Sequence, residues 1–201
     1  MKVQIEKTFP VPASADVAWA LLQDIEAVAA CMPGAAITTR LDASNYKGTV
    51  SVRVGPASMS FRGSVEVISV DLATRTLRLL GKGTDTTGSS GASMDLTARI
   101  APAASGAPDA CDLVGVSEVS MSGKAASFGG RMMGAVADQV LKQFAANFAT
   151  KALALQAQQP VAASAAVVAP APAVPNEING LALMWAVFLS WWRGLFQSNK
   201  K

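Results

Sequence analysis

The chain has 201 residues, 51% of them hydrophobic and 15% charged, with a net charge of +3 and no histidine. That length allows one domain plus appendages, and the small positive excess forms no basic stripe of the kind that suits nucleic acid. Without histidine, His-based zinc sites and Ser-His or Cys-His catalysis are excluded.

Lys2–Phe9 alternates through Val3, Ile5 and Phe9, with Lys7 as a polar break, and reads as a first strand ended by Pro10 and Pro12. No uninterrupted apolar stretch opens the chain, so no signal peptide is expected and the folded part should stay in the cytoplasm. Ser14 or Asp16 caps a short helix, Val17–Gln23, and a second follows over Ile25–Cys31, stopped by Pro33-Gly34. Six strand-like runs come next: Ala36–Asp42, Tyr46–Val54, Ser58–Val70, Thr76–Gly83, Gly88–Ile100 and Cys111–Ser122. Their connections at 42–45, 55–56 and 71–74 are hairpin-sized. Cys31 and Cys111 share no CxxC spacing, which favours buried, reduced thiols over a disulfide.

Ser127–Gln156 is the organising element. Phe128, Met132, Val136, Val140, Phe144 and Phe148 recur at four-residue steps, with Met133, Ala137 and Leu141 beside them. This is the broad apolar face of a long helix, with Ser127 as its N-cap. Seven strands, two small helices and a long final helix define an α+β order, a curved antiparallel sheet gripping the helix.

Strand alternation selects the residues that face that helix. Tyr46, Val50 and Val52 share one side of their strand, as do Met59 and Phe61 on the next and Met94 and Leu96 further on. Gly48, Gly63, Ala92, Gly115 and Ser117 fall on the same faces and leave them short of bulk. Two readings stay open. The helix phenylalanines and methionines fill the space as core, or an apolar cavity there takes a ligand. The glycine-rich 81–91 and 123–134 have neither P-loop nor GxGxxG order. Gly129, Gly130 and Gly134 place a cavity mouth near the helix start. No convergent carboxylate pair or metal set is present, so no catalytic or metal residue is assigned.

The tail differs in kind. Residues 156–177 are rich in Ala and Pro and read as a semi-extended linker, reaching roughly 60 Å. Residues 178–201 are an apolar anchor. Leu181, Leu183, Met184, Trp185, Phe188 and Trp191 form its body. Trp192, Leu195 and Phe196 continue it, and Arg193, Lys200 and Lys201 supply positive charge. A helix over 178–196 is about 28 Å long at ~1.5 Å per residue, just short of a ~30 Å hydrocarbon core. Spanning would place the terminal lysines outside, so lying in the interface on anionic lipid is favoured over crossing.

Several ordered motifs resemble one family. They are Asp24-Ile25-Glu26 with Cys31-Met32-Pro33-Gly34, the run 46–56, Phe61-Arg62-Gly63, the run 81–88, Gly123-Lys124-Ala125 and Phe128-Gly129-Gly130-Arg131. Together they are similar to the carbon monoxide dehydrogenase G-subunit (CoxG) family of the START-like helix-grip (SRPBCC) superfamily, over roughly residues 1–152. The resemblance implies a seven-stranded sheet around a C-terminal helix, with an apolar cavity between them. It implies a partner, a molybdenum hydroxylase complex of the carbon monoxide dehydrogenase type, and no covalent cofactor. It also implies attachment to the cytoplasmic side of the bacterial inner membrane, peripheral or tail-anchored, and coupling to the quinone pool (menaquinone or ubiquinone), or to another isoprenoid lipid. The expected organisation is a helix-grip domain over 1–155, a linker over 156–177 and an anchor over 178–201. The favoured activity is non-enzymatic: membrane recruitment with a lipophilic ligand in the cavity. An assembly factor without ligand, or a cyclase-like enzyme using Tyr46, Asp85 or Arg131, are the alternatives.

Overall fold

The computed structural model describes residues 1–54 and 57–158, with the backbone alone at 54, 57 and 128–133. The first residues of the expected linker, 156–158, continue α3. The rest of it, 159–177, the apolar segment 178–201 and the turn at 55–56 lie outside the described residues. Among those described, no helix is long and apolar enough to cross a membrane.

The order is β1 (Lys2–Val11), α1 (Ala15–Gln23), α2 (Ile25–Cys31), β2 (Ala35–Arg40), β3 (Asn45–Val54), β4 (Ala57–Asp71), β5 (Thr76–Asp85), β6 (Ser90–Pro102), β7 (Cys111–Gly123), a 3-10 turn (Lys124–Phe128) and α3 (Gly129–Gln158). All seven strands form one antiparallel sheet in the order β1-β7-β6-β5-β4-β3-β2. Chain order and sheet order agree except for β1, which pairs with β7 and so forms one edge of the sheet, with β2 at the other. Register shifts at Ile37/Thr39 and Val67/Ser69 add local bend to β2 and β4. At Gly63, β4 runs so near β5 that a Cβ would collide with the Lys82 carbonyl oxygen.

The short helices start where side chains supply the missing acceptors. Ser14 Oγ accepts from the Val17 N–H at 3.3 Å, and Asp24 Oδ1 from the Ala27 N–H at 2.9 Å. Between the two expected caps, Ser14 takes the role and Asp16 instead pairs with Arg75. The start of α3 corrects another expectation. Ser127 is not its N-cap: its hydroxyl donates back to the Lys124 carbonyl at 2.6 Å inside the 3-10 turn, which also contains Phe128. The helix proper begins at Gly129 and runs through Gln158. Gly129 and Gly130 disfavour a helix start one turn earlier, since each glycine costs about 1 kcal/mol against Ala.

The close-packed core lies at the end of the sheet that α1 and α2 cover. Val17, Trp19, Leu21 and Ile25 are buried there, with Leu77, Ile100, Cys111 and Leu113 from the strands. The second half of α3 docks into the same core through Phe148 and Ala152, both fully buried. Burial of Phe148 alone contributes about 1.5–3 kcal/mol. Polar contacts hold the same end of α3 in register. Asn147 Nδ2 donates to the Cys31 carbonyl at 2.9 Å, and the Ser14 N–H to Gln156 Oε1 at 2.6 Å.

Candidate ligand cavity

While one end of the grip is filled, the other is hollow. Between the inner sheet face and the first half of α3 lies a cavity of about 500 Å³. Its roof is Ala137, Val140, Leu141 and Phe144 of α3. Leu22, Ile25, Val28 and Met32 of α1, α2 and the residue just after it wall one side. The floor is the alternating inner row of the strands, including Val50 and Val52 of β3, Phe61 and Val65 of β4, Leu79 of β5, Met94 and Leu96 of β6 and Leu113 of β7.

The void has a sequence cause. Gly48, Gly63, Gly83 and Ala92 stand opposite one another in register across β3, β4, β5 and β6, so four neighbouring floor positions project almost nothing towards α3. The glycines differ in what they permit. A Cβ at Gly48 would lie 2.7 Å from the Ala36 carbonyl oxygen, whereas one at Gly115 would meet nothing nearer than Leu96 Cδ1 at 3.8 Å. Gly48 and Gly63 are therefore required by backbone approach, whereas a side chain at Gly115 would make only ordinary contact with Leu96. Val50 reaches solvent, 38% exposed, although it belongs to the inner face. The cavity therefore opens at β3. Near the start of α3, a Cβ on Gly134 would meet nothing within 4 Å.

Of the residues singled out from the sequence, Val50, Val52, Phe61, Met94, Leu96, Val140 and Phe144 line this cavity. Met59 pairs with Val52 in register but lies beyond the lining. Tyr46 has the right face and the wrong height: it is 5% exposed in the packed core, and its hydroxyl donates to the Ala43 carbonyl at 3.2 Å. Val136 is half-buried and does not line the cavity; its neighbour Ala137 does. The side chains of Phe128, Met132, Met133 and Arg131 are outside the described ones. Asp85 is spent on a turn, accepting from the hydroxyls of Thr87 and Ser89 and from the Ser90 N–H. Alternation in strands alone does not reveal the wall made by α1 and α2. The apolar spacing Ile25, Val28, Met32 along and just after α2 carries part of the signal, at steps of three and four residues, while Leu22 lies on α1 before the break at Asp24.

Both thiols are free and buried, and burial pushes each above its ordinary pKa. A larger depression of about 960 Å³ lies on the opposite sheet face. It is an open trough edged by Lys47, Arg62, Lys82 and several Ser and Thr hydroxyls, where an apolar molecule would stay wet. The inner cavity is the one built for apolar contact. Among the described residues no cluster of His, Cys, Asp or Glu could hold a metal ion.

A curved antiparallel sheet wrapped on a long helix, with an apolar chamber between them, defines a protein of the helix-grip fold. Residues 8–153 match the model of the carbon monoxide dehydrogenase G-subunit (CoxG) family, and the chain belongs to that family. Solved structures agree on the fold. A conserved protein from Geobacillus kaustophilus superposes with a TM-score of 0.66 at 16% identity, covering 76% of this chain and 96% of its own. The Zhui aromatase/cyclase from Streptomyces sp. R1128 gives 0.55 at 17% identity, with 76% and 94% covered. Norcoclaurine synthase from Thalictrum flavum gives 0.53 at 16%, with 77% and 96% covered. At these identities the likeness concerns the fold alone. A comparison with curated proteins finds no match.

Proposed function

We propose that this protein is a non-catalytic accessory component of a molybdenum-containing hydroxylase of the carbon monoxide dehydrogenase type. It binds a lipophilic ligand, a quinone of the menaquinone or ubiquinone class, in the cavity under α3 and recruits the enzyme to the cytoplasmic face of the membrane. The observation that carries the ligand is the apolar chamber itself, about 500 Å³ and within the range of small-molecule sites. Membership of the CoxG family supports the partner. Composition supports the attachment: an Ala/Pro-rich linker leads to a Trp-rich apolar segment ending in Lys200 and Lys201. A tether of this kind raises the effective concentration of domain, enzyme and membrane-dissolved quinone for one another without any new contact.

The test is organic extraction of full-length protein purified with its tail, followed by mass spectrometry of the extract. Isoprenoid quinone near one per chain is the expected result. Protein that carries none, and takes up none from quinone-loaded vesicles while still associating with the hydroxylase, would favour the assembly factor.

A further inference from the structure

The cavity has one polar end. Ile5, Lys7 and Phe9 of β1 all line it, so a lysine occupies an inner-face position in an otherwise apolar row. Lys82 also borders the chamber, but alternation sets its side chain on the outer face with Lys47 and Ser64. Lys7 Nζ lies 2.9 Å from Asp138 Oδ1 of α3, and the two side chains are 43% and 63% exposed. The pair therefore sits at the seam between β1 and α3, where the cavity meets solvent.

Directly across from Lys7 in register is Gly115, which sets no side chain beside the lysine; a Cβ there would meet only Leu96 Cδ1, at 3.8 Å. Two residues along β7 is Ser117, also in the cavity wall and only 8% exposed. Its Oγ is the single buried side-chain polar atom among the described residues that has no hydrogen-bond partner. Diagonal positions on neighbouring strands stand ~7–8 Å apart, and rotation about one bond redirects a serine hydroxyl. An unpaired buried hydroxyl is costly, and a lysine on an inner face gives up apolar burial. Both occur at the same end of one chamber.

We infer that Lys7 and Ser117 receive the oxygen-bearing head of a neutral lipid whose hydrocarbon occupies the remainder of the cavity. The inference rests on the lipophilic-ligand reading above and narrows it. Lys7 donates to an acceptor oxygen of the head, and Ser117 either donates or accepts. Neutrality follows from Asp138: it already balances the ammonium, so a carboxylate head would bring a second negative charge beside it. A carbonyl-bearing ring fits this end; a fatty-acid anion does not.

Calorimetric titration of the full-length protein with three probes of similar tail length tests this: decylubiquinone, decylbenzene and decanoate. Wild type should bind decylubiquinone more tightly than either of the others. Lys7→Met and Ser117→Ala should each weaken decylubiquinone by about three- to tenfold, the size of one hydrogen bond, and leave decylbenzene unchanged. Lys7→Arg should retain binding, and Asp138→Asn should strengthen decanoate. Melting temperatures should hold in the Lys7 and Asp138 variants, because an exposed ion pair contributes little to stability, and should hold or rise in Ser117→Ala, which removes an unpaired buried hydroxyl. Variants that bind decylubiquinone as wild type does would overturn the polar anchor while leaving the cavity reading intact. Tighter binding of decanoate than of decylubiquinone would overturn the neutral head. Wild type that binds neither decylubiquinone nor decylbenzene would remove the cavity reading and this inference with it.

Discussion

Val140→Trp separates a chamber from an ordinary core. Val140 lies in the roof over about 500 Å³, roughly three times the ~150 Å³ void that accommodates a benzene in an engineered core. An indole therefore fits without moving the sheet. A large aromatic buries ~150–250 Å². Each additional ~50 Å² removed from water contributes about 1.2 kcal/mol at ~25 cal/mol per Å², which offsets the cost of ordering the side chain. Stability should stay level or rise by about 1 kcal/mol. In a filled core the same change overpacks and costs ~1–3 kcal/mol, a fall of about 2–4 °C in Tm per kcal/mol for a domain of this size. Differential scanning fluorimetry and a decylubiquinone titration on one variant read both quantities. The expected outcome is an unshifted or higher Tm with binding lost. A Tm lowered by several degrees would make these residues plain core, and intact binding would put the ligand elsewhere.

The two kinds of inner-face glycine should part company in urea melts. Gly63→Ala drives a Cβ into the Lys82 carbonyl and should cost more than about 1 kcal/mol, whereas Gly115→Ala meets only ordinary contact and should be close to neutral; equal effects would contradict the geometry. Cys31 and Cys111 should react with a disulfide reagent only at the rate of unfolding, since burial raises both thiols and leaves them protonated near neutral pH. Because those folded-state values are raised, stability should decline as pH climbs through the range where the unfolded thiols ionise; a stability that rises there would reverse the assigned direction. Deleting residues 176–201 should shift the protein from the membrane to the soluble fraction without changing the Tm of the domain, and unchanged membrane association would refute the anchor. Reversing Lys200 and Lys201 to Glu should weaken binding to anionic liposomes and flatten its salt dependence, whereas protease protection of the C-terminus in sealed vesicles would mean that the segment crosses.

The set of elements and the family are legible in the order of amino acids alone. Period-two runs mark all seven strands, Ser14 or Asp16 marks the start of the first short helix, Pro33-Gly34 the end of the second, and the four-residue apolar step marks α3. Local periodicity suffices there because each element's pattern is imposed by its own pleat or turn. It also singles out the side of each strand that faces α3, and the shortage of bulk at Gly48, Gly63 and Ala92. It does not say how far along the sheet the packed core ends and the chamber begins. Tyr46 and Val50 share a face of β3, yet one lies in the core and the other at an opening, because the core under α1 and α2 covers only one end of that strand. On α3, the 3-10 turn before Gly129 shifts where the helix starts, and docking through Phe148 sets which stripe becomes the roof. Ala137 and Leu141 line the cavity and Val136 does not. Lys7 shows the same division. The sequence displays it as a break in an apolar alternation, while its place at the seam beside Asp138, across from Gly115, comes from β1 pairing with β7 and from α3 crossing above. Such pairings join residues more than a hundred positions apart, and only the packed chain brings them together.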